Sequence, residues 1–178
     1  MEQIDEKTFA QLARLAGFGR TGFCSAAAFA AERKAVERGP EIAERRQLRF
    51  DPTADDPRTK SIAVMLWPYV PAAQEEDGCV FVDGYYFASN AAYHAARALE
   101  AQLTEAGHFA KANVSYPARE AALRAGMGVI GQNGMLITPE YGSRFVIILM
   151  ATDIVHTAPD CGEHGGCLHC GRCAKACP

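Results

Sequence analysis

Apolar and polar positions alternate along this chain in short periodic segments. Phe9, Leu12, Ala13 and Ala16 recur at helical spacing, which predicts a helix over residues 5–16. Asp5 can cap its start, Ile4 and Phe9 stand at the two staple positions, and Gly17 can end it. Residues 20–26 read as a short strand or loop. Residues 31–60 carry alternating charge together with Pro40, Pro52 and Pro57, which predicts a surface helix and then a wandering connection. Residues 61–67 form an apolar run of buried-strand length, ended by Pro68 and Pro71.

Asn90 is expected to cap a helix running to about Ala106, with Tyr93, Ala96, Leu99 and Leu103 along one side. Pro117 opens a shorter helix that Gly126 can close. A hairpin is expected next, with 134–138 as its first strand, 139–142 as the turn and 144–153 as a long apolar second strand. Helices mixed with at least partly antiparallel strands predict an α+β fold. Residues 1–155 would form the main domain, and residues 156–178 an appended cysteine segment.

A length of 178 residues allows one good core and a small appendage, and 49% hydrophobic with 22% charged residues is ordinary globular composition. The net charge is −3 and the basic residues are scattered, which argues against nucleic acid as the main ligand. No apolar run reaches membrane-spanning length, and the N-terminus lacks the basic-then-apolar order of a signal peptide. A cytoplasmic protein without a membrane partner is therefore expected. Five of the seven cysteines lie at or after Cys161, at ligand-like gaps, so reduced thiols are expected rather than disulfides.

The strongest chemical signal is Cys167, Cys170, Cys173 and Cys177, followed by Pro178. The spacing C-x2-C-x2-C-x3-C-P is the ligand run of bacterial-type 4Fe–4S proteins, and thiolates are the soft donors such clusters prefer. Zinc and disulfides are weaker readings of the same residues. In two-cluster ferredoxins the fourth cysteine serves the other cluster. Only one run is present, so either four local thiolates build one cluster or the sequence is a piece of a longer protein, the favoured expectation. Cys161 is either an alternative fourth ligand or, the favoured reading, a free loop thiol. His164 and His169 read as hydrogen-bonding or solvent-facing, and Cys24 and Cys79 as buried thiols.

Gly126, Gly128, Gly131 and Gly134 crowd one short loop with Gln132 and Asn133. A dinucleotide fingerprint needs a strand before and a helix after, and here the order is reversed. The glycines either form a structural turn or let backbone lie close against a flat ligand with N–H groups free to donate. Arg119 and Glu120 read as a solvated face, and Trp67 as core or pocket wall.

The segment from Tyr116-Pro-Ala-Arg-Glu120 through the glycine loop to Leu-Ile-Thr-Pro-Glu-Tyr-Gly-Ser-Arg144, then Ala151-Thr-Asp153 and the cysteine run, resembles the shared core of epoxyqueuosine reductases and corrinoid reductive dehalogenases. The resemblance implies a nitroreductase-like cobalamin-binding core with an appended ferredoxin-type segment. It also implies electrons passing from a 4Fe–4S cluster to a corrinoid and a small-molecule substrate, supplied by a redox partner protein. It places Gly126, Gly128, Gly131, Gln132, Asn133, Gly134, Ser143 and Arg144 beside the corrinoid, and leaves Tyr116, Tyr86 and His94 as candidates for proton supply. Two positions depart from the reductase pattern. Val114 stands where an acidic proton donor is expected, and Ala121 where an arginine is. A non-catalytic electron-transfer or corrinoid-handling protein is the alternative.

Overall fold

A computed structural model describes residues 4–36, 47–70, 82–161 and 167–177. In chain order its elements are α1 (Glu6–Leu15), β1 (Arg20–Ser25), α2 (Ala30–Val36), α3 (Pro52–Asp55), β2 (Ser61–Pro68), α4 (Gly84–Glu105), β3 (Ala110–Ala112), α5 (Ala118–Arg124), β4 (Val129–Ile130), β5 (Leu136–Ile137), β6 (Phe145–Thr152) and α6 (Arg172–Ala176). Cys79, Pro71, Pro40, His164 and Pro178 lie outside the described residues.

The main sheet has the order β1-β2-β6-β3, and all its pairings are antiparallel. The central strand β2 pairs along its whole length with β6, from Ser61 opposite Thr152 to Pro68 opposite Phe145. Its apolar run is continuous because both faces are covered. Ala63 and Met65 point into one buried cluster with Phe9, Leu99 and Leu103 of α1 and α4. Ile62, Val64 and Leu66 point into the other with Ala121 and Ala122 of α5. β6 alternates in the same way, with Ile148 and Met150 on the first side and Leu149 and Ala151 on the second.

Three helices end alike. The N–H groups of Gly17 and Phe18 donate to Arg14 and Ala13, those of Gly107 and His108 to Thr104 and Leu103, and those of Gly126 and Met127 to Leu123 and Ala122. Each glycine is left-handed, at φ +106°, +88° and +64°, which makes all three Schellman endings. The expected helix over 5–16 is present, with the Asp5 carboxylate accepting from the Thr8 backbone N–H at 2.8 Å.

Two expectations are corrected. The long helix starts at Gly84, capped by Asp83, and not at Asn90, whose side-chain amide instead donates to the Tyr86 carbonyl one turn back. Tyr93 does not join the buried side of that helix and is half exposed. The turn over 139–142 forms, closed by reciprocal bonds between Thr138 and Gly142, but it does not join the two expected strands as a hairpin. β5 pairs with β4, while β6 is drawn into the main sheet between β2 and β3. Ladders with two neighbours bury far more of Phe145–Thr152 than a lone hairpin could.

Candidate metal centre

The chain after β6 is bonded back to the core before the cysteine run begins. His156 lies 2.7 Å from Glu6 of α1. Asp160 accepts from the Ser25 backbone N–H at 2.7 Å and from its hydroxyl at 2.6 Å. The Cys161 N–H donates to the Arg124 carbonyl at the end of α5, 2.7 Å away. Cys161 Sγ lies over Gly126, where an added Cβ would come within 2.9 Å of it.

Cys167, Cys170, Cys173 and Cys177 are free thiols. Left-handed turns at His169 and Gly171 precede the one-turn helix α6, which carries Cys173 and ends before Cys177. Cys167 and Cys173 are half-buried, and Cys170 and Cys177 exposed. The backbone N–H groups of Gln132 and His169 donate to the Cys167 sulfur and hold its thiol below its usual pKa, because they favour the thiolate. Among the described residues no three His, Cys, Asp or Glu side chains gather round a single ion position. A cubane spreads its thiolates over the corners of a much larger tetrahedron, so close convergence is not its requirement. Four soft donors at these gaps, the first already carrying N–H bonds to sulfur, fit a 4Fe–4S cluster.

The glycine loop begins beneath Cys161, at Gly126. Gly128 lies against the Ile137 backbone, where an added Cβ would stand 2.3 Å from the carbonyl oxygen. Gly131 lies against the Ile137 side chain and Asn133, and Gly134 is left-handed at φ +71°. These α-carbons are thus covered by the chain's own atoms. What the loop presents outward is the exposed edge of Gln132 and Asn133. Arg20 fixes the loop to the edge strand β1. Its guanidinium donates to the Gly126 and Met127 carbonyls at 3.2 and 3.1 Å and pairs with Glu140 at 3.1 Å.

Beside the same turn lies a cleft of about 350 Å³, lined by Pro68, Tyr69, Val70, Glu140, Tyr141 and Arg144. Ser143 is half-buried next to it and Arg144 is exposed. This volume is at the small end of organic-ligand sites. A cleft of this size does not enclose a tetrapyrrole.

The structure does not gather the three candidates for proton supply. Tyr116 is buried, its ring stacked 6.1 Å from Phe29. Burial, and then the Asp55 carboxylate beside it, push its phenol well above the usual range. Tyr86 and His94 are exposed on α4, which packs on the other side of the sheet. Val114 is half-buried against the second cluster and Ala121 fully buried within it. Cys24 is buried as expected, its thiol pushed up to about 12 by desolvation. Trp67 packs edge-on against Phe18. Arg119, read as solvated, donates to the Gly134 carbonyl. Sequence reasoning missed Arg20 and Asp160. Their partners lie more than one hundred residues away, so no local spacing could disclose them.

No protein-family model matches the chain. It is 47% identical to an epoxyqueuosine reductase of Listeria monocytogenes over 57 residues, 32% of this chain and 15% of the relative. It is 43% identical to a tetrachloroethene reductive dehalogenase of Desulfitobacterium hafniense over 61 residues, 32% of this chain and 11% of the relative. Its fold is that of a solved epoxyqueuosine reductase with a modified tRNA-Tyr stem loop. The TM-score is 0.74 at 23% identity, over 97% of this chain and 51% of that one. It also matches a reductive dehalogenase whose structure suggests a mechanism for B12-dependent dehalogenation. There the TM-score is 0.63 at 16% identity, over 93% of this chain and 22% of that one. The chain thus has homologues named epoxyqueuosine reductase and reductive dehalogenase and a mixed α/β fold like theirs. It spans about half of the reductase structure and less than a quarter of the dehalogenase.

Proposed function

We propose that this chain is an iron–sulfur redox protein that holds a 4Fe–4S cluster at Cys167, Cys170, Cys173 and Cys177 and delivers its electrons across the glycine-loop face. The observation that carries this reading is the four-cysteine run of free thiols in a chain homologous to reductive enzymes. A bound cluster supplies electrons singly. A redox partner protein would provide them. The acceptor implied by the relatives is a corrinoid and, beyond it, a small-molecule substrate, seated along Gln132, Asn133, Ser143 and Arg144. The tRNA stem loop belongs to the solved reductase, of which this chain spans about half, and it is not part of this reading.

A second reading is an electron-transfer or corrinoid-handling protein without chemistry of its own. Val114, at the place of the reductases' acidic proton donor, favours it, because a valine side chain carries no proton to give.

Anaerobic reconstitution with iron and sulfide tests the shared core of both readings. About four irons per chain are expected, with loss of most of them in Cys170→Ser. A wild-type chain that retains no iron overturns the proposal. Titration of the loaded protein with cob(II)alamin then separates the readings. A shift of the cobalt absorption bands supports a bound corrinoid, and unchanged bands leave only the electron carrier.

A further inference from the structure

Strand β1 carries two moorings, one at each end. At its start, Arg20 donates to the Gly126 and Met127 carbonyls at 3.2 and 3.1 Å and ties the head of the glycine loop to the strand. At its end, Ser25 donates from its backbone N–H and its hydroxyl to the two carboxylate oxygens of Asp160, at 2.7 and 2.6 Å. Between these points the strand pairs with β2 residue for residue, from Arg20 opposite Leu66 to Ser25 opposite Ser61. Next to Asp160, the Cys161 N–H donates to the Arg124 carbonyl at 2.7 Å, and Cys161 Sγ lies over Gly126. Two bonds to one carboxylate fix direction as well as position, and a carboxylate accepts more strongly than a neutral oxygen.

We propose that Asp160 is a positioning residue. Its paired bonds to Ser25 set where the cysteine segment leaves the core, and so hold the cluster at a fixed distance from the glycine-loop face. The inference rests on the 4Fe–4S reading above. Loop and cysteine segment are moored to one strand, so their separation is set by the six residues of β1 and not by the cysteine run itself. A paired strand is a stiff spacer with a rise of about 3.3 Å per residue. His156 also fixes the chain after β6, but farther from the cysteines and to Glu6 of α1. Electron transfer weakens steeply as donor and acceptor move apart, so a cluster free to swing delivers electrons poorly. Asp160 acts on the cluster only through the placing of the chain.

The full chain is reconstituted anaerobically as wild type, Asp160→Ala, Asp160→Asn and Ser25→Ala. Each carries a reduction-stable trityl radical, attached through an unnatural amino acid at Leu15, which is exposed at the end of α1. Dipolar pulsed electron paramagnetic resonance reads the separation of that radical from the dithionite-reduced cluster. Wild type should give one narrow distance. Asp160→Ala should lose it to a broad distribution at unchanged iron content, and Ser25→Ala, which keeps the backbone bond, should broaden less. Asparagine keeps an acceptor for the backbone N–H and offers an amide to the hydroxyl, so Asp160→Asn should restore the narrow distance. A broad wild-type distribution, or a narrow and unshifted distance in Asp160→Ala, overturns the inference. Should Asp160→Ala fail to load, hydrogen exchange of the loaded wild type decides. The Ser25 amide should be protected, and exchange at the rate of a free amide overturns the inference. A wild type that carries no iron is a different outcome, and it removes the underlying reading as well.

Discussion

Gly128 shows how much of this site is decided by single atoms. A β-carbon there would press within 2.3 Å of a backbone oxygen in the facing strand, which has no rotamer to yield. Gly128→Ala should destabilise the fold by about 1–3 kcal/mol, read as a lower denaturant midpoint at unchanged slope. An unchanged midpoint would mean that β4 and β5 do not approach as described. Gly126 has a different reason for being glycine, since it ends α5 at φ +64° beneath the Cys161 sulfur. The sequence displays four glycines in one short stretch and offers two explanations, a turn or a flat ligand. It cannot choose between them, because what covers each α-carbon comes from Ile137, Asn133 and Cys161. Tyr116 carries the same lesson. Its phenol is a plausible proton donor as a symbol in a string, while its burial against Phe29 and beside Asp55 is a property of the packed chain.

At the level of elements, the Asp5 cap and the glycine endings at Gly17 and Gly126 are legible in the sequence, while the Asp83 start of the long helix is not. Asp5 and Asp51 are N-caps whose carboxylates sit below the ordinary 3.8. For Asp5 the Thr8 side chain is the main cause, and for Asp51 the Ala54 backbone N–H. Asp56, held mainly by the Arg58 guanidinium, lies at about 2. A carboxylate with a depressed folded pKa binds fewer protons when folded than when unfolded. Its contribution is therefore complete above the unfolded value and is lost as pH falls through the folded one. Thermal midpoints followed by circular dichroism should fall between about pH 4 and about pH 2. Asp5→Asn with Asp51→Asn keeps an acceptor at both caps and should flatten part of that slope. A wild-type midpoint constant across this range would contradict the capping geometry. Strand partners are less legible than helix ends. The turn at 139–142 is real, but turn chemistry fixes a reversal of direction and does not fix which strand pairs with which.

On the scale of the whole molecule, the antiparallel sheet is buried on both faces, and β2 is where the two halves of the core meet. Met65 and Leu66 are adjacent in sequence and fully buried on opposite sides. Met65→Ala and Leu66→Ala should each cost about 2–5 kcal/mol, measured by equilibrium unfolding, and the two losses should be similar in size. A surface-like cost of a few tenths for either would show that one face is open. By itself the sequence determined the apolar strand 61–67, the Asp5-capped first helix, and the cysteine run with its soft donors. Each is encoded by neighbours a few residues apart, where spacing and chemistry act directly. Only the tertiary structure decided that β6 lies between β2 and β3, that Arg20 braces the loop, and that Asp160 binds back to Ser25. Those contacts join residues far apart along the chain, and they exist because burying both faces of one sheet brings the distant segments together.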